Sequence, residues 1–279
     1  VLVGEAHAPG AVPVRGHPTA TAVSRPDFPA VANTDVLAVP APNWTRFTLA
    51  HPAAAELPDD IVFGACIPTE SELKLIGDMS GRRVLDLGCG AGHNAIRLAR
   101  AGAKVIAIDA SADQLALARA AAEEADVKVE LHHGDLHELA WLRADGIDMA
   151  LSAYGLASVA DLPRVLRQVH RVLRQEAALV LSLPHPALEM VAAGAADPLR
   201  IRRTWFDHSP RPWTAQGATG TDHPRTIAEV FTALTRNNYR VDTIAEPEAS
   251  HDRGPASSFA DVMRWIPPTV IIRGRKQGN

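Results

Sequence analysis

A chain of 279 residues with 47% apolar side chains can bury a large core, and its length suits one large domain or one domain with appendages. Its net charge of −4, with no long basic run, indicates no dedicated nucleic-acid surface. Two cysteines, Cys66 and Cys89, make no disulfide framework and fit a reducing, cytoplasmic setting, and no run reaches the ~18 apolar residues of a membrane span.

Residues 1–42 carry prolines at 9, 13, 18, 26, 29, 40 and 42, and no helix or strand period persists between them. An irregular or disordered extension without catalytic content is expected there, or else an arm wrapped on a neighbouring subunit. A single domain over 43–279 is expected to follow, entered through the apolar anchors Trp44, Phe47, Ile61, Val62 and Phe63. Thr69-Glu-Ser-Glu72 has the spacing of a capping box and predicts a helix over 70–79.

From Val84 the pattern alternates. Val84–Leu87 is a short apolar run that breaks into Gly88-Cys-Gly-Ala-Gly92 and resumes at helical period with Ala95, Ile96, Leu98 and Ala99. A buried strand, a glycine turn and a helix in that order bring bare backbone close to a bound small molecule. Further strands are expected at 105–108, 127–132, 147–152 and 177–183. Between them lie a helix opened by Ser111-Ala-Asp-Gln114 and another capped by Asp161, with Pro163 in its first turn. Residues 184–225 break the rhythm with prolines, glycines and aromatics, as a lid or substrate surface would. Thr226-Ile-Ala-Glu229 opens one more helix, and 239–245 and 269–273 read as the last strands, separated by a long loop. Strands alternating with helices imply a doubly wound α/β sheet, mostly parallel.

The glycine loop with Asp86 before it resembles the cofactor loop of class I S-adenosylmethionine (SAM) methyltransferases, in their small-molecule, UbiE-like and type 11-like branch. The resemblance covers about 69–275. It implies a seven-stranded Rossmann-like sheet whose last strand is antiparallel. It also implies SAM as methyl donor, bound outside the carboxyl ends of the strands. Asp86 would face the amino-acid end of SAM, beside Gly88, Cys89, Gly90, Gly92, His93 and Asn94. Asp109 would accept from the ribose hydroxyls, with Ala110 against the adenine. Gly134, Asp135 and Leu136 would meet the adenine edge, and Ser152 would line the wall near the sulfonium. His93 stands where dinucleotide enzymes need a third glycine, which favours SAM over NAD(P).

The methyl acceptor would be a small molecule entering beside the 184–225 insertion, where Trp205, Phe206, His208 and Trp213 are the substrate candidates. His185, in Leu183-Pro-His-Pro186, is the candidate general base, and Tyr154 a candidate contact at the reacting centre. The twelve histidines suggest no metal cluster, so no metal is expected. A monomer or homodimer without nucleic-acid or membrane partners is expected. The rival readings are an NAD(P)-dependent oxidoreductase on a Rossmann fold and a non-catalytic SAM-binding protein.

Overall fold

The computed structural model describes residues 59–191, 199–215, 218–253 and 260–278. The expected 1–42 extension, with Trp44 and Phe47, lies outside them. Among the described residues, no helix is long and apolar enough to cross a membrane.

The strands are β1 (Arg83–Leu87), β2 (Lys104–Asp109), β3 (Val129–His133), β4 (Ile147–Ala153), β5 (Leu173–Pro184), β6 (Arg211–Ala215), β7 (Ala218–Asp222), β8 (Tyr239–Ala245) and β9 (Thr269–Lys276). Seven of them form one sheet in the order β3-β2-β1-β4-β5-β9-β8, and β6 and β7 pair separately as a hairpin. Strands β1 to β5 run parallel, while β9 lies antiparallel to both β5 and β8. The order reverses between β1 and β4, so the ligand crevice of a doubly wound sheet falls at the carboxyl ends of those two strands.

Strand alternation divides the core between the two faces of the sheet. Val84, Val105, Ala107, Met149, Leu151 and Val180 pack on one face with Phe63, Ile67, Ala95, Leu98 and Leu115. Leu85, Leu87, Ile106, Ile108, Ala150, Leu179 and Leu181 pack on the other. There they meet the stripe Leu162, Val165, Leu166, Val169 and Val172 of helix α4 (Leu162–Val172). Each fully buried Leu or Val contributes about 1.5–3 kcal/mol relative to an exposed one, so the two apolar layers clamp the crevice rigidly. Asp86 is the buried polar residue of β1, level with Ala107 on one side and Leu151 on the other.

The remaining helices are α1 (Glu70–Leu73), α2 (His93–Arg100), α3 (Ala112–Glu124), α5 (Pro186–Met190) and α6 (Ile227–Arg236). The capping box expected at Thr226 forms, with Glu229 reciprocating. The helix expected over 70–79 does not: α1 is a single turn and Lys74 takes a left-handed conformation. The Glu70 carboxylate accepts from the amides of Leu75, Ile76 and Gly77, which diverts from helical pairing the donors that would have continued it. Thr69 turns its hydroxyl to Asp60 instead of capping.

The insertion contains α5 and the β6–β7 hairpin, neither of which the sequence suggested. The hairpin is anchored back onto the domain. The His223 amide donates to Ala157 O at 2.8 Å, and the Arg225 guanidinium donates to the carbonyls of Leu156, Val159 and Ala160. The insertion is thereby fastened to the turn that follows β4, over the crevice end of the sheet.

Candidate functional site

At the end of β1 the chain turns through Gly88, Gly90 and Gly92, all with positive φ. Two of these positions require glycine for different reasons. Gly88, at φ +70°, lies against Gly155, and an added Cβ would stand 2.6 Å from the Gly155 Cα. Gly92, at φ +82°, lets α2 start against α3, where a Cβ would come within 2.9 Å of the Ala118 methyl. The amides of Gly88 and Cys89 donate to Ile108 O at 2.8 and 3.2 Å, which ties the loop to the end of β2.

Asp109 sits at that end. Its carboxylate accepts from the Gly90 amide at 2.8 Å through Oδ2 and from the Ser111 amide at 2.9 Å through Oδ1. Each oxygen keeps lone-pair capacity for a further donor. Asp86 is only 2% exposed, and its Oδ2 has no hydrogen-bond partner among the described residues. Burial, and secondarily the charge of Asp109, pushes its pKa up to about 7. A second orphan is the Oε1 of Gln114, buried beside Gly90. The Ser111-to-Gln114 spacing pointed only to a helix cap, which forms with the Ser111 hydroxyl accepting from the Gln114 amide at 3.3 Å; nothing in it marks the buried Gln114 side chain.

His93 is the first residue of α2 and is buried. Burial, with Arg97 nearby, brings its pKa down to about 4, so it stands neutral at the helix start. Cys89 is buried and free, and burial raises its thiol pKa well above the usual range. At the end of β3, the Gly134 amide donates to Asp109 O at 3.1 Å, which brings the third strand end to the second. The exposed Asp135 carboxylate accepts from the His137 amide and meets its ring at 2.6 Å. Leu136 is buried, and Ala110 is exposed with its carbonyl 3.0 Å from the His133 ring.

Four sequence candidates prove to be engaged in holding the fold. Asn94 brackets Val62, accepting from its amide at 3.0 Å and donating to its carbonyl at 2.8 Å, so its amide group locks the lead-in segment. Ser152 donates to Leu87 O at 2.9 Å and clips β4 to β1. Tyr154 is fully buried with its hydroxyl on Thr269, and burial raises its pKa. It is therefore a packing residue, contrary to the expectation of a contact at the reacting centre. Tyr154→Phe should lower stability by about 1–2 kcal/mol, because it strands the buried Thr269 hydroxyl, and leave the affinity for S-adenosylhomocysteine unchanged. Urea melts and calorimetry would check both. His185 also departs from its expected role. Its Nδ1 accepts from the Ala187 amide at 3.2 Å as the cap of α5, and its Nε2 meets the Glu246 carboxylate at 2.9 Å. Both ring nitrogens are therefore engaged within the fold.

The four substrate candidates do not share one role. Trp213 on β6 covers Gly220 across the hairpin and donates to Asp222 at 3.0 Å. Trp205 and Phe206 stand exposed, and His208 faces Glu229 at 3.5 Å. The hairpin instead closes a recess at the carboxyl ends of β4 and β5. Ala157, Leu183 and Pro184 line it from the sheet, and Glu189, Asp222 and His223 from the insertion.

Residues 84–176 match the model of a methyltransferase domain family. The chain is 39% identical over 94 residues to a ubiquinone biosynthesis O-methyltransferase of Bordetella avium, covering 34% of this chain and 39% of that protein. It is 34% identical over 123 residues to a 2-phytyl-1,4-naphtoquinone methyltransferase of Nostoc, covering 42% and 53% respectively. In both, the matched part is well under two thirds of the relative's length. A solved SAM-dependent methyltransferase from Mesorhizobium loti superposes with a TM-score of 0.60 at 28% identity, covering 73% of this chain and 95% of that one. The strand order agrees with these matches: the chain has the fold of that SAM-dependent methyltransferase, and the matched residues 84–176 begin at the strand that leads into the glycine loop.

Proposed function

We propose that the chain methylates a small organic molecule, with SAM held over the glycine loop and the acceptor held on the side of the 184–225 insertion. The observation that carries this reading is the Asp86 carboxylate, buried at the sheet's switch point with one oxygen lacking a partner among the described residues. A buried polar atom without a partner costs about 1–3 kcal/mol, and more for a charged group, so its natural complement is a ligand cation. The α-ammonium of SAM supplies one. Asp109 retains acceptor capacity for ribose hydroxyls, the Gln114 amide lies beside Gly90, and the start of α2 offers amides and the neutral His93 to the carboxylate end. Gly88, Cys89, Gly90 and Gly92 give the close backbone approach. Ala110, Gly134, Asp135 and Leu136 frame the adenine end.

When bound, SAM supplies an electrophilic methyl on a sulfonium. The protein's task is to present a nucleophile in line and exclude water. The relatives named for ubiquinone biosynthesis and for naphtoquinone methylation support a small-molecule acceptor. The free, buried thiols of Cys66 and Cys89 support a reducing, cytoplasmic setting.

Calorimetry with S-adenosylhomocysteine tests the cofactor site. The full chain is expected to bind it one to one, and Asp109→Asn to bind about 10- to 100-fold more weakly through loss of charge-assisted hydrogen bonds. A folded wild-type protein that takes up no S-adenosylhomocysteine would sink the reading.

A further inference from the structure

The recess beneath the hairpin adjoins the cofactor loop through one turn. Gly155 packs on Gly88, and Ala157, two residues on, both lines the recess and accepts from the His223 amide at 2.8 Å. We propose that this recess holds the methyl acceptor, that the acceptor is an uncharged hydroxyl compound, and that His223 takes the hydroxyl proton during transfer. The inference rests on the methyltransferase reading above and names the acceptor class it leaves open.

The charges around the recess select the acceptor. Glu189 on α5 pairs with Arg211 on β6, and Asp222 at the end of β7 accepts from the Trp213 indole. Arg225 is directed at three backbone carbonyls of the turn after β4. Two carboxylates and two guanidiniums balance, and both carboxylates already have donors. An ammonium would find no unpaired carboxylate there, and a carboxylate would find no uncommitted guanidinium. A neutral hydroxyl fits without leaving a charge uncompensated.

His223 is half-buried, and its ring makes no hydrogen bond to the described residues. That sets it apart from His185, whose two ring nitrogens are both engaged. Burial first, and then the like charge of Arg225, lowers its pKa, while Asp222 acts in the opposite direction. Glu229 of α6 and Asp161 at the start of α4 face Arg225 in turn. A neutral imidazole with a free lone pair is the state a general base needs at neutral pH. In the transfer, the acceptor O–H bond breaks and its proton goes to the free ring nitrogen of His223. An oxygen lone pair forms the new bond to the methyl carbon, and the electron pair of the breaking S–CH3 bond stays on sulfur. The imidazolium then returns the proton to water.

The test uses the full chain saturated with S-adenosylhomocysteine, probed with phenol, catechol and benzylamine. In NMR spectra of the histidine rings, phenol or catechol should shift the His223 resonances, and benzylammonium should not. With SAM, anisole or guaiacol should form. His223→Gln should lower kcat by about 100-fold or more and abolish the acid limb of the kcat–pH profile. Its affinity for S-adenosylhomocysteine should stay within about twofold, since no cofactor contact is altered. The proposal is overturned if benzylamine is the compound that binds or is methylated, if neither hydroxyl probe binds, or if His223→Gln keeps its kcat or its acid limb. Failure of S-adenosylhomocysteine to bind the wild type would instead overturn the methyltransferase reading itself.

Discussion

Asp86→Asn is expected to raise the melting temperature of the ligand-free protein at pH 8 and to weaken S-adenosylhomocysteine binding by about 100-fold. Both effects come from one buried carboxylate. Burial and the neighbouring Asp109 lift its pKa to about 7 in the folded chain, against about 3.9 for an unfolded aspartate. Between those values the folded state binds more protons than the unfolded one, so stability falls as pH rises from about 4 to about 7 and is flat above. At about 1.4 kcal/mol per pH unit, the cost reaches a few kcal/mol at most, and asparagine avoids it. The gain in melting temperature should therefore vanish near pH 4, grow to pH 7 and then level off. Binding runs the other way. A ligand ammonium is attracted only to the ionised form, so wild-type affinity should improve about fivefold from pH 6 to 7 and about tenfold by pH 8, with proton release, and then plateau. Calorimetry in buffers of different ionisation enthalpy reads that proton directly. If the affinity is level between pH 6 and 8, or the asparagine variant binds like the wild type, Asp86 does not face the ammonium.

That carboxylate was legible in the sequence because its position is local: an acid in an apolar strand, two residues before glycines that only a tight turn explains. The mostly parallel sheet was legible for a related reason, since near-continuous apolar runs such as Val105–Ile108 belong to buried parallel strands. What could not be read is what depends on a distant partner. Asn94 is occupied by Val62, 32 residues away, Ser152 by Leu87, 65 away, and Tyr154 by Thr269, 115 away. As sequence, each looks like a polar residue beside a site; in the fold, each is already engaged. His185 is the clearest case. Its Pro-His-Pro setting marks a rigid loop, and only Glu246, 61 residues on, reveals that its second nitrogen is also taken. The β6–β7 hairpin was not legible because Arg211-Pro-Trp-Thr-Ala215 shows no alternation of apolar and polar residues. Within it Trp213 covers Gly220, and the chain that leaves β7 is tied to the turn after β4.

Gly155→Ala is the substitution expected to damage both the fold and the cofactor site. A Cβ at this position would collide with Leu87 O and stand 2.9 Å from the Gly88 Cα. Both neighbours are backbone of the strand end and the glycine loop, so neither can swing aside as a side chain would. Either the turn after β4 lifts off the loop, or the loop moves and takes with it the Gly88 and Cys89 hydrogen bonds to Ile108. The expected cost is about 2–4 kcal/mol, which for a chain of this size lowers the melting temperature by about 5–10 °C. S-adenosylhomocysteine affinity should fall at least tenfold, because the loop backbone must approach the ligand closely. Gly77→Ala provides the comparison. Gly77 also has a positive φ, +76°, but nothing lies within 4 Å of an added Cβ. It should lose about 1 kcal/mol to backbone strain and bind S-adenosylhomocysteine normally. The pair separates the cost of a strained φ from the cost of a blocked contact. If Gly155→Ala melts and binds as Gly77→Ala does, the turn after β4 does not wall the cofactor mouth, and the recess behind it loses its connection to the reacting methyl.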